Sequence, residues 1–122
     1  MGKIILDSNI LIYFVNGNIN LERNFFRDNR VIISVITEME VLGYNITEIE
    51  ENTYRRVFKK LEIIQISNVI VKSVIQIRRN FKIKLPDSII AATCMEHQAT
   101  LMTANTKDFS KIPHLKLINP IA

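Results

Sequence analysis

Lys3-Ile4-Ile5-Leu6-Asp7-Ser8-Asn9-Ile10-Leu11-Ile12-Tyr13 is the stretch whose reading decides the fold. Lys3 to Leu6 is apolar beyond its lysine and does not alternate, the pattern of a short strand covered on both faces. From Asn9 the apolar residues read as a helix to about Val15, stopped at Asn16-Gly17. One acid, Asp7, stands at the junction. A strand that ends in a carboxylate and passes at once into a helix sets that carboxylate at the carboxyl edge of the sheet, where α/β folds place their functional crevice.

The same strand-then-helix grammar repeats along the chain. Asn20 to Arg27 reads as a short helix with Leu21 and Phe25 on one face, Val31 to Ile33 as a buried strand, and Ser34 to Leu42 as a helix stopped by Gly43. Thr47-Glu48-Ile49-Glu50 is a capping box that opens a helix to about Lys60. Leu61 to Ile66 reads as a third strand. Ile70, Val74, Ile77 and Phe81 recur at helical spacing and mark a long helix. Pro86 opens another to about His97; Thr100 to Thr103 and Leu115 to Ile118 complete the strands. Helices between consecutive apolar strands supply the crossovers that parallel pairing demands. The expected fold class is α/β, a three-layer α/β/α sandwich around a parallel sheet of four to five strands.

Bulk properties agree. The 122 residues fit one domain, residues 1–122, and 48% hydrophobic with 23% charged residues is an ordinary globular composition. Three glycines and three prolines leave no room for a flexible linker, and there is no internal repeat. No apolar run approaches the roughly 18 residues of a membrane span, and the first one stops at Asp7 before it resembles a signal-peptide core. The single Cys94 has no disulfide partner within the chain. A reducing cytoplasm and no membrane association are expected. The formal charge of +4 suggests a polyanionic or acidic partner. Its cations cluster as Arg55, Arg56, Lys59 and Lys60, which reads as a solvated helix face, and as Arg78, Arg79, Lys82 and Lys84, which run up to Asp87 and suit phosphate contact.

Three acids, Asp7, Glu40 and Asp87, occupy equivalent strand-to-helix junctions. Each alone has a structural reading: Asp7 as an N-cap, Glu40 as the back-reaching member of a Thr37-x-x-Glu40 capping box, and Asp87 as a charge favoured by the helix dipole beside Pro86. Together they mean more. At a separation of ~5 Å and an effective dielectric near 20, each pair repels by about 3 kcal/mol, so three pairs cost on the order of 10 kcal/mol, comparable to the whole stability of such a domain. A hard divalent cation with oxygen ligands, Mg²⁺ or Mn²⁺, removes that cost. The expectation from the residues alone is a metal-dependent hydrolase.

Other chemistries lack their residues. Cys94 lies on the apolar side of its helix with Ile90 and reads as core. His97 and His114 have no partner at zinc spacing, no nucleophilic serine motif is present, and Gly2, Gly17 and Gly43 are too isolated to cradle phosphates.

Four segments also resemble a known family: Leu6-Asp7-Ser8-Asn9-Ile10-Leu11-Ile12-Tyr13, Ile33-Ser34-Val35-Ile36-Thr37-Glu38-Met39-Glu40-Val41-Leu42-Gly43, Leu85-Pro86-Asp87-Ser88-Ile89-Ile90-Ala91-Ala92 and Leu101-Met102-Thr103-Ala104-Asn105-Thr106-Lys107-Asp108-Phe109. In order and spacing they are similar to the PIN-domain nucleases, in particular the VapC-type toxins of toxin–antitoxin pairs. The resemblance implies an endoribonuclease that cuts single-stranded or loop RNA with Mg²⁺ or Mn²⁺ and leaves 5′-phosphate and 3′-hydroxyl ends. It implies Asp7 and Asp87 as metal ligands, directly or through water, and Glu40 as the group that orients or deprotonates the attacking water. Where many relatives carry a fourth acid this chain has Asn105, so that role passes to Asp108 or is left to Asn105 and Thr103. Asn9 and Ser34 match positions that help shape the family's site. The resemblance further implies a cognate antitoxin and a homodimer, with Tyr13, Phe14, Phe25, Phe26 and Tyr54 as apolar contact residues. Two rivals remain: a catalytically inactive PIN-like module that binds RNA or protein, and a receiver domain, which would want paired acids after the first strand and a lysine after the last.

Overall fold

The apolar runs become five strands in the computed structural model, which describes residues 2–121. In chain order the elements are β1 (Gly2–Leu6), α1 (Ser8–Val15), α2 (Arg23–Asp28), β2 (Asn29–Ser34), α3 (Val35–Leu42), α4 (Glu48–Phe58), β3 (Glu62–Ile64), α5 (Asn68–Asn80), α6 (Leu85–His97), β4 (Thr100–Met102), α7 (Thr106–Phe109) and β5 (Leu117–Ile118). The sheet runs β3-β2-β1-β4-β5 with every pair parallel. Receiver domains use the flavodoxin-like order 2-1-3-4-5, so this order removes that rival.

Alternation along each strand builds two cores. Ile5, Ile32 and Leu101 face one side, where they meet Ile70, Val74 and Ile77 of α5, Ile89, Ile90 and Ala91 of α6, and Phe109 of α7. Ile4, Leu6, Val31, Ile33 and Met102 face the other, against Ile10 and Leu11 of α1, Val41 of α3, and Tyr54 and Phe58 of α4. The expected three layers are therefore present. Each fully buried Ile or Leu contributes about 1.5–3 kcal/mol, so a charge at Ile5, which has no exposed surface, would break both sheet and helix packing.

Some boundaries differ from expectation. The third strand is Glu62–Ile64 and not Leu61 to Ile66, and the fifth is Leu117–Ile118 and not Leu115 to Ile118. Both are edge strands paired on one side only, so the ladder ends sooner than the apolar run. The second helix begins at Arg23, behind a Glu22 that gives no side-chain cap, and not at Asn20. The four-residue α7 was not expected; Asn105 caps it by accepting from the Asp108 backbone N–H at 3.5 Å. Thr37-x-x-Glu40 is not a capping box: α3 is capped by Ser34, whose Oγ accepts from the Ile36 N–H at 3.1 Å. Thr47 and Glu50 do form the expected box.

Among the described residues no helix is long and apolar enough to cross a membrane. Cys94 is buried, as expected, and burial pushes its thiol far above its usual value. Tyr54 is also buried, stacked near Phe58, and is not an exposed contact residue. Tyr13, Phe14, Phe25 and Phe26 are half-buried, with Phe14 and Phe26 ring centroids 5.4 Å apart.

Candidate active site

Strand register assembles the site. Leu6 pairs with Met102, so the next residues, Asp7 and Thr103, come level at the carboxyl edge of the two central strands. The Asp7 N–H donates to the Met102 carbonyl at 3.0 Å, and the Thr103 hydroxyl donates to Asp7 Oδ2 at 2.7 Å. Asp7 is the N-cap of α1, its Oδ1 accepting from the Ser8 N–H at 2.8 Å. The structural reading of Asp7 is thus correct, yet it uses only part of the carboxylate's accepting capacity. Asp7 is 6% exposed, and burial raises its pKa more than the Thr103 and Ser8 hydrogen bonds lower it, with Glu40 adding repulsion.

Glu40 arrives on the second turn of α3. Ser8, at the start of α1, donates its hydroxyl proton to Glu40 Oε1 at 2.8 Å, with Thr37 Oγ1 3.1 Å away on the other side. Locally, Ser8 reads as a helix-start residue and Thr37 as a cap partner. Their tertiary role spans 32 and 29 positions of sequence, so no local pattern carries it.

Asp87 sits in the first turn of α6, after Pro86, and is half-buried. Its carboxyl is pushed up to about 6 by burial first, then by repulsion from Asp7, Glu40 and Asp108, against a smaller opposing pull from Lys84. Asp7, Ser8, Asn9, Glu40, Tyr44, Lys84, Pro86, Asp87 and Asn105 line one cleft of about 200 Å³.

Asn105 lines the cleft wall, whereas Asp108 does not. Asp108 accepts from Asn105 Nδ2 at 3.2 Å and from Lys111 Nζ at 3.4 Å, and these two partners hold it below the usual carboxylate range. Ser34 is fully buried and also stays out of the cleft; it acts on the site by starting the helix that carries Glu40. Exposed Asn9 lies in the lining.

The cleft carries three acids against one lysine, Lys84. Among the described residues the salt bridges are Arg27–Asp28, Arg30–Glu62, Arg55–Glu51 and Lys111–Asp108, none of which involves Asp7, Glu40 or Asp87. The Ser8 hydroxyl anchors Glu40 and the Thr103 hydroxyl anchors Asp7, so the two acids are held by separate donors. Among the described residues no three Asp, Glu, His or Cys side chains form a ready ligand group. The donor set is all oxygen and suits a hard cation that keeps much of its water, as Mg²⁺ does when bound by one or two carboxylates.

Known proteins share this architecture. The PIN domain family model matches residues 4–115. A toxin–antitoxin complex from Klebsiella pneumoniae contains a chain 33% identical, with 96% of this chain and 97% of that one covered and a TM-score of 0.75. VapBC2 from Rickettsia felis, solved with a DNA fragment from its promoter, matches at 26% identity, 96% and 98% coverage and a TM-score of 0.78. DNA-bound VapBC from Salmonella typhimurium shares the fold at 24% identity, 97% and 98% coverage and a TM-score of 0.80. No curated protein matches the chain. With its model spanning nearly the whole sequence, the chain belongs to the PIN-domain family.

Proposed function

We propose that this protein is a metal-dependent endoribonuclease and the toxin of a toxin–antitoxin pair. The observation that carries the reading is a cleft at the carboxyl edge of the sheet into which Asp7, Glu40 and Asp87 open, none of them in a salt bridge among the described residues. A structural role would pair these acids, as it pairs Asp108 with Lys111.

Asp7 and Asp87 would hold Mg²⁺ or Mn²⁺, directly or through water. When bound, such a cation neutralises charge on the phosphoryl oxygens and makes water easier to ionise. The rest is work for the side chains. The Thr103 and Ser8 hydrogen bonds favour the ionised form of Asp7 against the larger opposing effect of its burial, and they fix the orientation of the carboxylate. Ser8 anchors Glu40 Oε1, which leaves Oε2 free to accept a proton from the attacking water as its oxygen bonds to phosphorus and the P–O3′ bond breaks in line, the departing 3′-oxygen taking its proton from solvent. Asn105, neutral, fills the fourth position at the cleft wall, and Asp108 acts on Asp87 only by long-range repulsion. With a single acidic pair available, a one-metal mechanism is the simpler one. Products carry 5′-phosphate and 3′-hydroxyl ends.

Solved relatives that are toxin–antitoxin complexes support a cognate antitoxin as the partner; both proteins would act in the cytoplasm. The half-buried Tyr13, Phe14, Phe25 and Phe26 supply apolar surface for that antitoxin or for a homodimer. The test is total RNA incubated with purified protein and Mg²⁺ or Mn²⁺, beside chelator and an Asp7→Asn variant. Cutting should need the metal and vanish in the variant, which still caps α1 because Asn is as good an N-cap as Asp. Cutting that persists in chelator or in Asp7→Asn contradicts the mechanism. RNA binding without cutting by the parent protein would favour the inactive-module reading.

A further inference from the structure

Among the cleft residues with no part in the chemistry above, one brings an aromatic ring and one a cation: Tyr44 and Lys84. Tyr44 is 53% exposed and makes no side-chain hydrogen bond among the described residues. It follows Gly43, the C-cap of α3, where a Cβ would come within 2.6 Å of the Met39 carbonyl oxygen. The chain therefore leaves the helix by a turn tight enough to need glycine, and that turn delivers an aromatic ring to the cleft one helical turn beyond Glu40. Lys84 reaches the cleft from extended backbone just ahead of α6. It is the cleft's one cation and, among the described residues, belongs to no salt bridge.

A flat apolar face and a lone cation beside an anionic centre ask for a ligand that is flat, anionic and extended. A nucleotide within a single strand has all three properties, whereas the bases of a duplex already have both faces stacked. We infer that Tyr44 stacks on an unpaired base next to the scissile phosphate and that Lys84 holds a phosphate of the same strand, so that these two side chains position the substrate and select unpaired RNA. The inference rests on the nuclease reading but concerns residues outside the acid set.

The test uses short single-stranded RNA, with affinity read by fluorescence anisotropy in an Asp7→Asn background and cleavage kinetics read in the otherwise unaltered protein. Tyr44→Ala should weaken binding on the order of tenfold or more and raise KM while leaving kcat nearly unchanged, with Tyr44→Phe restoring both. Lys84→Met should lower the slope of log affinity against log salt by about 0.7, the loss of one phosphate contact on a single strand. Oligonucleotides scanned with single abasic sites should show one position that weakens binding to the parent and has no further effect in Tyr44→Ala. Unchanged KM and affinity in Tyr44→Ala, or the same abasic profile in both proteins, overturns the inference while cleavage stands. Tyr44-dependent binding by a parent that never cuts overturns the nuclease reading and leaves the grip intact. A parent that neither binds nor cuts RNA overturns both.

Discussion

Asp87 and Asp108 are the same residue type in the first turns of two helices, α6 and α7, yet their surroundings drive them in opposite directions. Asp87 is pushed up to about 6 by burial and by the acids Asp7, Glu40 and Asp108. Asp108 is held low by a side-chain amide and by Lys111. The difference lies in compensation: the protein has matched the charge at α7 and left the charge at α6 unmatched. Uncompensated charge costs stability and is retained where a ligand will match it, so under the proposed function Asp87 would be the functional acid and Asp108 a structural one.

Removing each acid separates them most sharply. Asp87→Asn should lower the rate of metal-dependent RNA cleavage by roughly 10³ or more, the scale of several kcal/mol of lost cation stabilisation, and Glu40→Gln by roughly 10²–10⁴, the scale of a general base. Asp108→Asn should stay within about fivefold of the parent, as befits an exposed pair. Equal losses at 87 and 108, measured as kcat/KM on one RNA, would erase the distinction.

A smaller effect should appear where the compensation of Asp7 is removed. Thr103→Val deletes the buried hydroxyl that donates to Asp7 Oδ2, at a cost of about 1–3 kcal/mol in urea unfolding. The same change raises the Asp7 pKa further, so the acid limb of the activity profile should move to higher pH. An unchanged limb would mean that Thr103 does not tune the site.

The pH dependence of stability sharpens the comparison from the other side. Asp87 has a folded value of about 6 against an ordinary 3.8, so the metal-free folded state binds this proton more tightly than the unfolded chain does. Its contribution to stability is present below about pH 4 and is lost as pH rises through about 6. Because the group is half-exposed, the effect is discounted to about 1 kcal/mol. Asp87→Asn should flatten the unfolding curve across that window; saturating Mg²⁺ should stabilise the parent but not the variant. Asp108 has the opposite sign and little amplitude, its group being exposed.

How far the sequence revealed this contrast depends on the distance over which each partner acts. The parallel sheet, both helical layers and the junction positions of Asp7, Glu40 and Asp87 were legible, because apolar periodicity and caps are local, whereas the strand order was not. Edge strands were overestimated, since Leu61 and Ile66 look like strand residues but have no second neighbour to pair with. The hydrogen bond from Thr103 to Asp7 spans 96 positions, and that from Ser8 to Glu40 spans 32; no window contains either. Asn105 and Asp108 were left as alternatives for the fourth position because only the capping geometry of α7 decides which of them turns to the cleft. Tyr44 gave no signal at all, its place depending on a turn at Gly43.

The central claim is that the unmatched acids hold a divalent cation. Titration of Mn²⁺ at neutral pH, followed by the loss of the free-ion electron paramagnetic resonance signal, tests it without substrate or partner. One bound ion is expected for the parent and for Asp108→Asn, with binding lost in Asp87→Asn. A parent that leaves the free-ion signal untouched, or an Asp87→Asn variant that binds as well as the parent, would contradict the account.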